Sequence, residues 1–199
     1  MSPRKYRQTK RLAAAEATRQ RIIEATVALH SEKGIAATTF NDIAARAGVG
    51  VGTVYHHFPT YDDVVKACGA HLRATVPLPA PEIFDGVQPL DARVRRLARE
   101  LFAYYERYPL FEQARCDRDK LPVLAESVAR REQALESFAR EALRPVTRSE
   151  NLVRTVIALT DFSVYRSLTR SGLSTPAAAD QVARVLLAWL STVVDATTV

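Results

Sequence analysis

The chain has little of what would mark it as an exported, membrane-bound or catalytic protein. Two cysteines, Cys68 and Cys116, stand among 199 residues. They are too few for a disulfide framework and suit free thiols in a reducing cytoplasm. No apolar run approaches the roughly 18 residues a membrane span needs, and no apolar signal core opens the chain. A cytoplasmic location with no membrane partner is therefore expected. Strand-like alternation of β-branched residues is missing. No P-loop, GxSxG or dinucleotide fingerprint occurs, and Gly48, Gly50 and Gly52 precede a helix without the strand such loops require. No Ser/His/Asp or paired-carboxylate arrangement stands out, so neither an enzyme nor a cofactor is expected. His56, His57, Asp62 and Asp63 could suggest a metal ion, but neighbouring helical residues diverge by about 100°. No metal site is expected there.

Acid is also missing from the first eleven residues, which hold Arg4, Lys5, Arg7, Lys10 and Arg11. The net charge is +6, and residues 1–66 carry ten Lys/Arg against six Asp/Glu. A basic segment beside a small helical unit suits a polyanion such as nucleic acid, or else serves solubility.

What the chain does contain is helical periodicity almost throughout. Residues 15–33 place Ile22, Ala25, Thr26 and Leu29 on one face, extended by His30, and Gly34 stops the helix. Thr39 opens a second helix, with Asp42 three residues on to complete a capping box. Ile43, Ala44 and Ala47 give it an inward side before Gly48. A helix from Gly50 to His57 follows, then one from Thr60 to about Ala74 with Asp62 and Asp63 in its first turn. Pro77, Pro79, Pro81 and Pro89 make the next stretch a linker or ordered loop, and a candidate hinge or lid. Beyond it, Asp91 opens a helix burying Val94, Leu97, Leu101 and Tyr105, closed by Pro109. A short segment breaks near Cys116–Lys120. Pro122 starts a long helix with Leu124, Val128, Leu135, Phe138 and Ala142 inward. One helix over 150–171 and another over 176–194 complete the chain. Both carry apolar residues on two sides, so one side is expected to face a second copy.

The pair 39–47 and 50–57, joined through Gly48 and Val49, has the layout of a helix-turn-helix. Val49, Val54 and Phe58 point inward, which leaves Val51, Gly52, Tyr55 and His56 outward. IIEATVALH followed by Gly34, then TTFNDIAARAGV, GTVYHHF and an acidic helix start after Pro59, are similar to the DNA-binding domain of the tetracycline-repressor (TetR) family. The resemblance covers about fifty residues, some 18 to 67. Beyond it the likeness is architectural. The implied organisation is all-α: a basic flexible arm over 1–17, a helix-turn-helix domain over 18–75, and a ligand-binding and dimerisation domain over 76–199.

The resemblance implies a ligand-responsive regulator, most simply a repressor, that binds an inverted-repeat operator in double-stranded DNA as a homodimer through helices 150–171 and 176–194. Thr39 would bond a phosphate through its hydroxyl or amide, and Asn41 would reach the DNA edge. Val51 and Gly52 would approach bases. Thr53, Tyr55 and His57 would clamp the backbone, with His56 on phosphate or base. The chain departs from the family at Gly50 and Val51, where Ser and a polar residue are common, and at Tyr61, where a lysine is common. Tyr61 would then offer a phenol to phosphate. His30, in place of an aromatic residue, is expected to be buried and satisfied. Effector walls are expected at Phe102, Tyr105, Phe111, Phe138, Phe162 and Tyr165, since such pockets are mostly apolar. Asp161 could anchor a cation and Arg131 an anion, which leaves the effector class open. A helical ligand-binding or enzymatic protein with a vestigial DNA-binding head is the rival expectation.

Overall fold

The computed structural model of the chain describes residues 3–145 and 149–194. They form helices α1 (Pro3–Lys33), α2 (Phe40–Ala47), α3 (Val51–His57), α4 (Tyr61–Thr75), α5 (Leu90–Arg107), α6 (Phe111–Asp117), α7 (Pro122–Leu143), α8 (Glu150–Leu159), α9 (Phe162–Arg170) and α10 (Thr175–Val194). A 3-10 turn occupies Pro81–Phe84, and no strand occurs among the described residues. The fold is all-α.

Contacts divide the described residues into two compact units. The first holds those up to Thr75 together with Glu112–Val128. Its core joins Ile22, Ile23 and Leu29 of α1 to Ile43 and Ala44 of α2, Val54 of α3, Phe58, and Val64, Ala67 and Cys68 of α4. These are the apolar positions that helical spacing selects, and burying a large aliphatic side chain contributes about 1.5–3 kcal/mol. A second cluster, Ile35, Val65, Ala114, Leu124 and Val128, packs α6 and the start of α7 onto this unit. The second unit holds Val76–Phe111 and the described residues from Ala129 onward. There α10 packs along α5 and also meets α8 and α9.

Two expectations change. The segment read as a flexible arm over 1–17 is helical from Pro3. Leu12-Ala13-Ala14-Ala15-Glu16 has high helix propensity and no breaker interrupts it. Side chains from Arg7 to Ala17 are nonetheless exposed, while Met1 and Ser2 lie outside the described residues and the side chains of Arg4 and Lys5 are not among those described. Second, the single helix over 150–171 is two helices. Asp161 is extended (φ −65°, ψ 155°) and its carboxylate accepts from the Ser163 amide as the N-cap of α9. The Thr160 hydroxyl turns back to the Val156 carbonyl at 2.8 Å. A capping residue inside an apolar run outweighs the run.

The short segment expected to break near Cys116–Lys120 is α6, which ends at Asp117. Of the two readings of the proline-rich stretch, linker or ordered loop, the bonds at its 3-10 turn match the ordered loop. Arg93 is 4% exposed and donates Nη1 to the Phe84 and Val87 carbonyls at 2.9 and 3.0 Å. Its Nε donates to the Ala142 carbonyl at 2.9 Å and Nη2 to that of Glu141 at 2.5 Å. One guanidinium thus satisfies both the turn and the carbonyl end of α7. Phe84 is buried with its ring 4.9 Å from Phe138.

Candidate nucleic-acid interface

The first unit is organised around α2 and α3. The capping box forms: the Thr39 amide donates to Asp42 Oδ2 at 2.8 Å, and the Asp42 amide donates to Thr39 Oγ1 at 3.2 Å. The Thr39 hydroxyl also donates to Asp42 Oδ2 at 2.6 Å. Both groups expected to meet a phosphate are therefore engaged with Asp42. Lys33 pairs with the same carboxylate at 2.6 Å. The Lys33 and Thr39 bonds hold that carboxyl far below its ordinary range. Arg46 pairs with Glu32 at 2.5 Å, so the end of α1 is tied to both ends of α2. Thr60 and Asp63 repeat the box at the start of α4.

Gly48 closes α2 in the left-handed region (φ 64°, ψ 41°), and its amide donates to the Ala44 and Ala45 carbonyls. A residue with a β-carbon is strained there. The turn delivers α3 with Val54 wholly buried and Phe58 at 2% exposure, while Val51 and Tyr55 are 40% and 51% exposed. Gly52 and His56 are exposed beside them, as is Asn41 on α2; Thr53 and His57 are half-buried. Nothing lies within 4 Å of where a Cβ on Gly52 would be. The Tyr55 ring stands edge-on to Phe40 at 4.5 Å, which fixes the phenol's direction. Burial, then the neighbouring His56 and Arg19 charges, push the His57 imidazole down from its ordinary value. Arg19 itself lies over the Phe58 ring at 5.1 Å.

Tyr61 is a correction. Its hydroxyl donates inward to the Ile35 carbonyl at 2.6 Å and lies 2.9 Å from His30 Nε2. The single phenolic proton is used on Ile35, so His30 Nε2–H donates to the phenol oxygen. Burial raises the Tyr61 hydroxyl well above its usual range. A ring packed between two apolar clusters cannot also present its oxygen outward, so it offers no phosphate contact. His30 is 1% exposed, and burial, against the pull of Asp117, pushes its imidazole down to about 4. It is a buried, satisfied histidine, as expected.

Asp117, 82 positions from Ile35, escaped sequence reading. Its Oδ2 accepts the Ile35 and Ala36 amides at 2.8 and 3.0 Å, and Oδ1 meets Lys120 at 2.8 Å. Burial opposes its charge, but Lys120 and the two amides prevail and hold the carboxyl below its ordinary value. The turn it grips begins at Gly34 (φ 94°), where an added Cβ would come within 3.3 Å of the same oxygen. Nothing local in the chain announces this long-range contact.

In the second unit, five expected effector walls come together. Tyr105 lies 4.9 Å from Phe111, 5.6 Å from Phe162 and 5.8 Å from Tyr165, ring centre to ring centre. Phe102 is 5.3 Å from Tyr165, and Phe111 stacks on Phe162 at 4.7 Å. Phe138 lies instead against Phe84. Asp161 accepts the Ser163 amide through Oδ1 as the N-cap of α9. Tyr104 and Tyr108, which helical spacing from Leu101 could have added, extend the group: Tyr104 lies 6.0 Å from Tyr105, and Tyr108 lies 5.5 Å from Tyr104.

Residues 22–68 match the family model for bacterial regulatory proteins, tetR family. The N-terminal domain belongs to the tetR family. An HTH-type transcriptional repressor of Mycobacterium tuberculosis is 40% identical over 87 residues, 42% of this chain and 46% of that protein. The HTH-type transcriptional repressor LfrR of Mycolicibacterium smegmatis is 32% identical over 101 residues, 47% of this chain and 52% of its own. The chain thus spans about half the length of the curated relatives it matches. The TetR-family regulator PfmR of Thermus thermophilus shares the fold over 83% of this chain and 96% of its own, with a TM-score of 0.61 at 22% identity. Around the tetR-family domain, therefore, the likeness is one of fold. No helix among the described residues is long and apolar enough to cross a membrane.

Proposed function

We propose that the chain is a cytoplasmic, homodimeric transcriptional repressor that leaves an inverted-repeat operator when a small molecule binds its second unit. The observation that carries this reading is α3: its base is locked by Val54 and Phe58 while Val51, Gly52, Tyr55 and His56 stand outward. A short helix held in this way is suited to lie in a major groove. Bare space over Gly52 lets the backbone approach bases, and Val51 can meet a thymine methyl. Thr53, Tyr55 and His57 hold phosphates, Asn41 reaches the groove edge, and His56 takes either. Thr39 serves the capping box, and Tyr61 is withdrawn from the surface.

With so few hydrogen-bonding side chains facing the bases, operator choice leans on DNA shape as well as on contacts. A second copy joins through α8, α9 and α10, setting two α3 helices about one DNA turn apart. The effector occupies the aromatic cluster, and only a molecule that favours one conformation of the dimer can release the DNA. No catalysis is assigned. A gel shift with the chain's own upstream region tests the reading. A discrete complex that resists excess bulk DNA is expected, and binding no better than to bulk DNA would sink it.

A further inference from the structure

Helix α1 begins well before the core it serves. Its first buried residues are Ile22 and Ile23, and every residue from Arg7 to Ala17 is exposed. About three turns therefore stand outside the core of their own unit. They are helical because Leu12-Ala13-Ala14-Ala15 extends a helix already nucleated further along. Leu12, 65% exposed, is the single large apolar side chain among them, so this overhang has no apolar face for a membrane or a partner helix.

Its charge, by contrast, is directed. At about 100° per residue, Arg7, Lys10 and Arg11 fall in one stripe, which Ala14, Thr18 and Arg21 continue. Glu16, the only acid before Glu24, lies on the opposite side and pairs with Arg19 at 3.8 Å. Arg7, Lys10 and Arg11 have no acidic partner among the described residues. Further along α1 the same stripe meets Leu29, packed with Ile43 of α2, and Glu32, paired with Arg46 of α2. The cations thus share the side of α1 on which α2 lies. The overhang leaves the unit beside the end of α3: Arg19 lies over the Phe58 ring at 5.1 Å, and the charges of Arg19 and Glu16 reach His57.

We propose that the overhang is a helical strut along flanking DNA, with Arg7, Lys10 and Arg11 on backbone phosphates outside the half-site that α3 reads. This rests on the reading of α3 as the helix that enters the groove. Arg7 precedes Arg19 by about 18 Å of helix axis, a reach of about five base pairs. The strut adds affinity and fixes register without reading bases. Cations aligned on a helix also lose less freedom on binding than those on a loose tail.

The test is fluorescence anisotropy with the inverted repeat from the chain's own upstream region. One duplex carries flanks of about ten base pairs, a second is trimmed to the repeat, and salt runs from about 50 to 200 mM. Two variants are measured beside the native chain: the triple substitution Arg7→Gln, Lys10→Gln and Arg11→Gln, and Ala15→Pro. The proline keeps every charge but breaks the helix by clashing with the Arg11 carbonyl, and neither variant alters a buried residue. Trimming the flanks should cost the native chain about tenfold or more in affinity. The triple variant should lose as much on the long duplex and be indifferent to trimming. Its log–log salt slope should be shallower by about 2–3 per subunit. Ala15→Pro should lose the flank dependence although its charge is intact. An unchanged slope in the triple variant, or a native chain indifferent to flanks, overturns the contact and leaves a solubility tail. Native behaviour from Ala15→Pro overturns the strut in favour of a flexible arm. Binding to the repeat no better than to bulk duplex defeats the repressor reading, and the slope of the triple variant on bulk duplex then decides the phosphate contact. No binding to any duplex removes both.

Discussion

Burying an imidazole next to a phenol couples stability to pH. The unfolded chain takes up the His30 proton near the ordinary value of 6.5, the folded chain only near 4. Between those values the unfolded state binds more protons, so stability falls as pH drops through that window and is unaffected by this group above it. The loss should reach up to about 3 kcal/mol at the lower end. Urea melts of the native chain and of His30→Phe, taken from pH 7 to pH 4, measure it. The variant should show a shallower decline, and parallel curves would remove His30 as the cause. On the exposed side of α3, Gly52→Leu should leave folding intact, because no atom beyond its own stretch of helix lies within 4 Å of the new Cβ and leucine suits a helix better than glycine by roughly 1 kcal/mol. The same side chain would hold α3 away from the groove floor. A Tm equal to or above that of the native chain, with operator affinity down by 100-fold or more, is expected. Undiminished affinity would take α3 out of the groove.

At the scale of elements, what could be read in advance was what neighbouring residues decide. The Thr39–Asp42 box and Gly48 with its positive φ each involve partners within a few residues, so composition and spacing expose them. The core positions Ile22, Ile43, Val54 and Phe58 follow from periodicity, which is also local. The misses are contacts between distant stretches. Arg93 looks like any surface arginine until its acceptors 48 and 49 positions away are in place. Tyr61 matches a phosphate-facing position by motif, yet a larger ring is drawn inward where His30 and the Ile35 carbonyl satisfy its oxygen. Asp117 shows the same limit and can be tested. Asp117→Ala strips the buried Ile35 amide and the Ala36 amide of their acceptor and should cost about 2–3 kcal/mol in denaturant melts. Hydrogen exchange at those two amides should accelerate well beyond that at the Thr39–Asp42 box. Equal acceleration everywhere would mean that the contact carries no special load.

For the molecule as a whole, the two apolar sides of the last helix sort themselves. Ala179, Val182, Ala183, Leu186 and Leu190 are buried in their own unit, whereas Val185 remains 49% exposed and Trp189, one turn on, is only half-buried. Residues four apart share a helix face, so a second apolar stripe is left open along α10. Leu152, Ile157 and Leu159 of α8 are likewise half-buried. A repressor that reads an inverted repeat needs this surface covered by its own copy. Val185→Glu puts a carboxylate into that contact twice, once from each subunit. Because the position is open in the single chain, the variant should fold with an unchanged melting temperature at low concentration. Dimerisation should weaken by roughly 100-fold, the scale of a disrupted interface hot spot. Sedimentation equilibrium checks the association, and a gel shift on the full inverted repeat against a half-site checks its consequence. The variant should lose its preference for the full repeat while keeping weak half-site binding, since α3 is untouched. A variant that sediments as a dimer with the full-repeat preference intact would place the second copy elsewhere, and a native chain that sediments as a monomer at every concentration would remove it altogether.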